Sequence, residues 1–211
     1  MSRRPMKVLL TAISLAFAGS ALAQKEVTIA YQDMLLPYRV AQESKEIEKA
    51  TGYKVNWKQF GGGGEVIKAM ASGQVHVGEL GSAPLASGIS RGLPLELFWI
   101  LDDIGDAEAL VARNGSGINK IEDLKGKRVA TPFASTAHFH AMVAIEMAKL
   151  KAVDVKFLNL RPPEIAAAWD RGDVDATYIW DPVLAKVKGN GKVIITSGKI
   201  TAQTGKATFD A

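Results

Sequence analysis

The chain has 211 residues, with 26 Lys and Arg against 22 Asp and Glu, three His and no Cys. The absence of cysteine excludes disulfides and thiolate chemistry. Three of the basic residues (Arg3, Arg4 and Lys7) fall in the first 23 positions, which hold no acid, so the excess charge is mostly terminal and gives no reason to expect nucleic acid.

Positions 1–23 read as an export signal. A positive start leads into the apolar run Val8–Ala18, and Ala21-Leu22-Ala23 supplies small residues at −3 and −1, predicting a mature start at Gln24. The run is too short for a spanning helix. No Cys follows the cleavage point, so a soluble periplasmic protein, without a lipid anchor on an N-terminal cysteine, is expected.

Beyond the signal, strand-like runs are predicted at Val27–Tyr31, Val55–Phe60, Val75–Leu80, Leu95–Leu101, Ala109–Arg113, Arg128–Thr131, Val155–Leu160, Val174–Trp180 and Val193–Thr196. They alternate with helical stretches at Pro37–Thr51, Glu65–Ser72, Ala83–Arg91, Thr136–Leu150, Pro163–Arg171 and Pro182–Lys188. This alternation predicts an α/β protein. An internal repeat at an offset of about 99 residues aligns Glu65-Val66 with Glu164-Ile165, Gly73 with Gly172, and Val75 with Val174. Two similar parallel-sheet lobes follow, with residues 24–102 as lobe 1, 103–200 as lobe 2 and 201–211 as the start of a returning hinge strand. The acidic stretch Asp102–Glu108 marks the boundary. In such sheets ligands collect beyond the carboxyl ends of the strands, and facing lobes form a cleft able to close.

Catalysis finds little support. There is no Gly-x-Ser-x-Gly elbow, and Gly61–Gly64 fits neither the dinucleotide nor the Walker pattern. His138 and His140, two apart near a helix start, cannot chelate one metal as i, i+4 histidines can; they read as helix-surface or pocket-rim residues. No cofactor, metal site or catalytic residue is predicted.

Anion binding is better supported. Gly81-Ser82-Ala83-Pro84 and Ser135-Thr136 each place a hydroxyl residue at a helix start beyond a strand, where N–H groups and the helix dipole favour an anion; each alone is also what a plain helix cap looks like. For a cation the candidates are Glu108, Asp181 and Asp210, with Trp180 as an aromatic face.

Several stretches then become familiar: Val27–Gln32, Glu79–Ala86, Ala107–Val111, Asp123–Ala130, Pro132–His138, Ala167–Asp173 and Tyr178–Pro182. They resemble the taurine-binding branch of the sulfonate- and nitrate-type periplasmic binding proteins of bacterial ABC importers. The resemblance implies a two-lobed type II periplasmic binding protein fold, a small zwitterionic sulfonate as ligand, a membrane permease as partner and a monomeric receptor. It places Gln32, Ser82, Glu108, Ser135, Thr136, Trp180 and Asp210 at the cleft, with Gly81, His138 and Asp181 as further candidates. Ser82, Ser135, Thr136 and adjacent backbone N–H groups would hold the sulfonate, Glu108 and Asp210 the ammonium, and Trp180 the carbon chain. An aliphatic-sulfonate or nitrate-type receptor is the alternative, and an enzyme on the same scaffold the reading from another class. Because members of this family continue further, the chain is expected to be truncated at its C-terminus.

Overall fold

A computed structural model describes residues 25–211; the segment read as an export signal lies outside them. Lobe 1 is built on three parallel strands, β1 (Glu26–Gln32), β2 (Lys54–Phe60) and β3 (Val77–Gly78), in the order β2-β1-β3. Its helices are α1 (Tyr38–Ser44), α2 (Glu46–Thr51), α3 (Gly63–Ala71) and α4 (Ser82–Ser90). The short β4 (Asp102–Asp103) then leads to a five-stranded sheet of β5 (Glu108–Arg113), β6 (Arg128–Thr131), β7 (Lys156–Asn159), β8 (Ala176–Trp180) and β9 (Gly191–Thr196), ordered β7-β6-β8-β5-β9. Lobe 2 adds α5 (Thr136–Met147), α6 (Pro162–Arg171), α7 (Val183–Lys188) and α8 (Ser197–Thr204). The last strand, β10 (Phe209–Asp210), pairs antiparallel with β4, and Ala211 exchanges backbone hydrogen bonds with Leu80 of lobe 1.

The sequence repeat has a topological counterpart. Each lobe holds three parallel strands in one arrangement, β2-β1-β3 and β7-β6-β8, and the matched acids Glu65 and Glu164 sit in the first turns of α3 and α6. In both cases the carboxylate accepts from the backbone N–H where the chain turns into its helix, from Gly61 at 3.0 Å and Arg161 at 2.8 Å, which satisfies a donor that has no partner within the helix.

Four elements differ from expectation. Leu95–Leu101 forms no strand: only the Leu101 N–H finds a neighbouring strand, at the Asp210 carbonyl, and Leu97, Phe98, Trp99 and Ile100 remain exposed. Leu97, Phe98 and Trp99 border an open apolar concavity of about 690 Å³, which Ile29, Trp57, Met70 and Leu85 also line. Residues 37–51 form two helices, because Lys45 adopts a left-handed conformation with φ of 55°. The strand expected over Val75–Leu80 is regular only at Val77–Gly78, although the His76 and Glu79 N–H groups continue the bonding to β1. Helix α8 was not anticipated; Thr196 caps its start and the left-handed Gly205 its end.

Candidate functional site

The strand ends of both sheets point to one region. Gln32 and Phe60 end β1 and β2, while Thr131, Asn159 and Trp180 end β6, β7 and β8. Strand β5 runs antiparallel to β8, so its first residue, Glu108, lies opposite Trp180. The hinge strand β10 brings Asp210 beside Gly81. A Cβ on Gly81 would overlap the Thr136 side chain and stand 3.2 Å from Asp210 Oδ1, so the lobes approach too closely there for any side chain. Gly62 also lies where the lobes meet, but with room: a Cβ would make ordinary contacts, 3.4 Å from Pro132 Cβ and 3.8 Å from both Gln32 Oε1 and Trp180 Cη2. Trp180 also bridges the lobes, its indole N–H donating to the Asp33 carbonyl at 3.1 Å.

Glu108 is buried at the centre of a polar network. The Thr136 hydroxyl donates to its Oε1, and the Ser197 hydroxyl reaches Oε2 at 3.3 Å. Behind it, Ser197 Oγ also lies 2.7 Å from His140 Nδ1 and 2.9 Å from Tyr178 Oη. His140 Nε2 is 3.0 Å from the Lys206 carbonyl, which can only accept, so Nε2 carries the proton. His140 is thus a fully buried network residue, not the helix-surface or rim residue expected.

Asp210 is buried and forms no ion pair with a Lys or Arg among the described residues. Burial, then the neighbouring charges of Glu108, Glu79 and Asp102, push its pKa up to about 8. At neutral pH such an acid holds its proton, and a cation placed beside it would favour the ionised form.

The hydroxyls expected at the anion end need correction. Ser135 caps α5, donating to the Pro132 carbonyl at 2.6 Å and accepting from the His138 N–H at 3.1 Å. Thr136 gives its hydrogen to Glu108. Neither hydroxyl hydrogen is free for an anion. What remains at this end are the Thr136 and Ala137 N–H groups, in the first turn of α5 where helix geometry provides no acceptor. Ser82 Oγ accepts from the Phe209 N–H at 3.2 Å, which leaves its own hydrogen to donate.

Two further candidates serve the scaffold. Asp181 is exposed and accepts from the Ala185 N–H at 2.8 Å, holding the first turn of α7. His138 stacks on Phe133 with ring centroids 4.6 Å apart, and burial lowers its pKa.

Sequence reasoning gave no role to Glu79. Its Oε2 accepts from the Gln32 backbone N–H at 2.8 Å and the Tyr38 hydroxyl at 2.9 Å, and its Oε1 from Gln32 Nε2 at 2.9 Å. Burial pushes its pKa up, against the pull of these donors and of the Arg39 charge. Nor did sequence reasoning find the clasp between lobes, in which Arg161 Nε and Nη2 donate to the two oxygens of Glu65 at 3.0 and 2.9 Å. The only sequence signal was the Gly61–Gly64 run, whose bareness lets the Arg161 side chain cross it: a Cβ on Gly61 would stand 2.6 Å from Arg161 Cγ.

Residues 25–199 match the model of the substrate-binding domain of ABC-type glycine betaine transport systems. The taurine-binding periplasmic protein of Escherichia coli K12 is 40% identical over 197 residues, covering 93% of this chain and 61% of that protein. A putative aliphatic sulfonates-binding protein of Bacillus subtilis 168 is 30% identical over 188 residues, covering 87% and 57%. The chain therefore spans about three fifths of the length of these curated relatives. Among solved structures, the alkanesulfonate-binding protein of Xanthomonas axonopodis pv. citri, bound to MOPS, superposes with a TM-score of 0.76 at 25% identity, covering 88% of this chain and 64% of that one.

Proposed function

The chain belongs to the family of substrate-binding domains of ABC-type glycine betaine transport systems, and we propose that it is the periplasmic receptor of an importer for taurine. As a monomer it binds this zwitterionic sulfonate between its lobes and delivers it to the membrane permease. It has no catalytic role and, after cleavage near Ala23/Gln24, is free in the periplasm. The relatives' names support a periplasmic sulfonate receptor, and no helix among the described residues is long and apolar enough to cross a membrane.

The observation that carries the choice of ligand is the pair of buried acids, Glu108 and Asp210, neither of which pairs with a Lys or Arg among the described residues, with His140 Nδ1 standing 3.9 Å from Glu108 Oε2. An ammonium group between them supplies the missing positive charge. The sulfonate takes the Ser82 hydroxyl and the Thr136 and Ala137 N–H groups, and Trp180 packs on the two-carbon linker. An alkanesulfonate or nitrate receptor would need the anion end but would have no use for the two buried carboxyl groups, which is the specific reason to rank that reading second. Calorimetric titration of wild type, Glu108→Ala and Asp210→Ala with taurine tests this. Each variant should lose about 30-fold or more in affinity, the ordinary cost of truncating one partner of a buried charge pair. Undiminished binding by either variant would remove its carboxylate from the site.

A further inference from the structure

The structure assigns Glu79 as a positioning residue that turns the Gln32 amide so that its oxygen, and not its NH2, faces the ligand. This rests on the taurine reading and deepens it, because it explains how an uncharged residue takes part in selecting a cationic group.

The argument is one of donors and acceptors. A Gln side chain offers two donors on nitrogen and an acceptor on oxygen, and exchanging the two ends changes its shape very little. Only its neighbours decide which end points where. Here Nε2 is 2.9 Å from Glu79 Oε1 and 3.9 Å from Met34 Sδ, so both amide hydrogens have acceptors within lobe 1. Glu79 is itself fixed: its other oxygen receives the Gln32 backbone N–H and the Tyr38 hydroxyl. An ionised carboxylate can only accept, and turning the Gln32 amide over would set two oxygens against each other inside a buried contact. The amide oxygen is left on the opposite side, by Gly62 and 3.8 Å from where a Cβ there would lie, in the gap where Trp180 and Pro132 of lobe 2 approach. No donor among the described residues bonds that oxygen. An acceptor held in this way favours a ligand that brings N–H groups and disfavours one that brings only oxygens. Lobe 1 thereby adds an acceptor to the two carboxylates supplied by lobe 2 and the hinge.

The test exchanges the partners. In Glu79→Gln the new side chain can present NH2 to Gln32, whose amide then turns over and offers its own NH2 to the cleft. Taurine affinity should fall about tenfold, while ethanesulfonate, which has the same anion and no ammonium, should be unchanged or bind more tightly. The double variant Gln32→Glu/Glu79→Gln puts an acceptor back in the cleft, with the new amide donating to the new carboxylate, and should restore the preference for taurine. A purely structural role for Glu79 would weaken both ligands alike, and the exchange would not restore the ratio between them. The ligand-free protein gives an independent reading. The Gln32 side-chain amide protons should exchange slowly in wild type and fast in Glu79→Gln, which tests the orientation even if the single variant is less stable. An unaltered affinity ratio in a folded Glu79→Gln protein, or fast-exchanging Gln32 amide protons in wild type, would overturn the assignment. Wild type that binds ethanesulfonate but not taurine would instead overturn the ligand proposed above, and the amide exchange would still report on Gln32.

Discussion

The two lobes repeat one strand arrangement but differ in what holds them. Lobe 2 has a core cluster of 27 buried apolar residues, centred on β5, β6 and β8 and including the fully buried Trp169 and Tyr178. The cluster of lobe 1 contains seven, and the Leu97–Ile100 run beside it lies exposed. Stability scales with apolar area removed from water, so among the described residues lobe 2 holds most of what buried apolar surface contributes. The contributions to the cleft follow the same division. Lobe 2 gives side chains fixed by a sheet, Glu108 and Trp180, and a helix start at Thr136. Lobe 1 gives bare backbone at Gly62 and Gly81, the Gln32 amide and the Ser82 hydroxyl at the start of α4. A side chain must be anchored to be aimed, and the larger core is the better anchor.

The widest separation between the lobes should appear on truncating apolar side chains. Trp169→Ala in lobe 2 should cost about 3–5 kcal/mol, whereas Phe98→Ser beside lobe 1 should stay within about 0.5 kcal/mol, both read from urea unfolding. A comparable loss at Phe98 would mean that the exposed run packs in solution and that the contrast is drawn too sharply.

The hinge should respond to pH. Asp210 has its folded pKa raised to about 8 from the ordinary 3.8 of an aspartate, so the folded state holds a proton that the unfolded state has released over that interval. The stabilising contribution of the neutral acid is complete below about pH 4 and is lost as pH climbs through about 8. Asp210→Asn should flatten the dependence, by an amount on the order of a few kcal/mol between those limits. The groups facing Asp210 are Glu108 of β5, Glu79 after β3 and Asp102 of β4, all acids. Saturating taurine should oppose the loss, since an ammonium favours the ionised form. Stability that rises over this range in wild type, with no change in Asp210→Asn, would refute the shift.

The smallest effect belongs to the clasp between lobes. Arg161 and Glu65 are both substantially exposed, and such pairs contribute little even when bidentate. A double-mutant cycle with Arg161→Ala and Glu65→Ala should give a coupling of about 0.2–1 kcal/mol in ligand affinity. No measurable coupling would leave the two lobes joined only at the hinge and the cleft.

Much of this was legible in the sequence, for reasons particular residues make clear. Strand β6 and the start of α5 appear where expected, because Ser135 is a strong cap and Arg128–Thr131 lies between Gly126-Lys127 and the strand-ending Pro132. The repeat was visible because Glu65 and Glu164 perform the same local task. Leu95–Leu101 was misread because an apolar run carries no record of whether a partner strand exists. The break at Lys45 was hidden, since lysine gives no warning of a left-handed backbone. Helix α8 was missed because Gly198 and Thr201 weaken its propensity, while its support comes from packing that only the fold supplies. At the site, residue types were readable and hydrogen-bond directions were not. Ser135 and Thr136 look like anion ligands in the chain, but their hydrogens go to Pro132 and Glu108. Glu79 looks like a loop acid but orients Gln32 from 47 positions away.

The proposal at the centre is that the buried carboxyl groups of Glu108 and Asp210 select the ammonium end of a sulfonate ligand. Calorimetry of the wild-type protein with taurine and with ethanesulfonate, side by side at neutral pH, tests it most directly. Taurine should bind more tightly by about a hundredfold or more, the range expected for a buried charge pair. Equal affinities, or a preference for ethanesulfonate, would contradict the account.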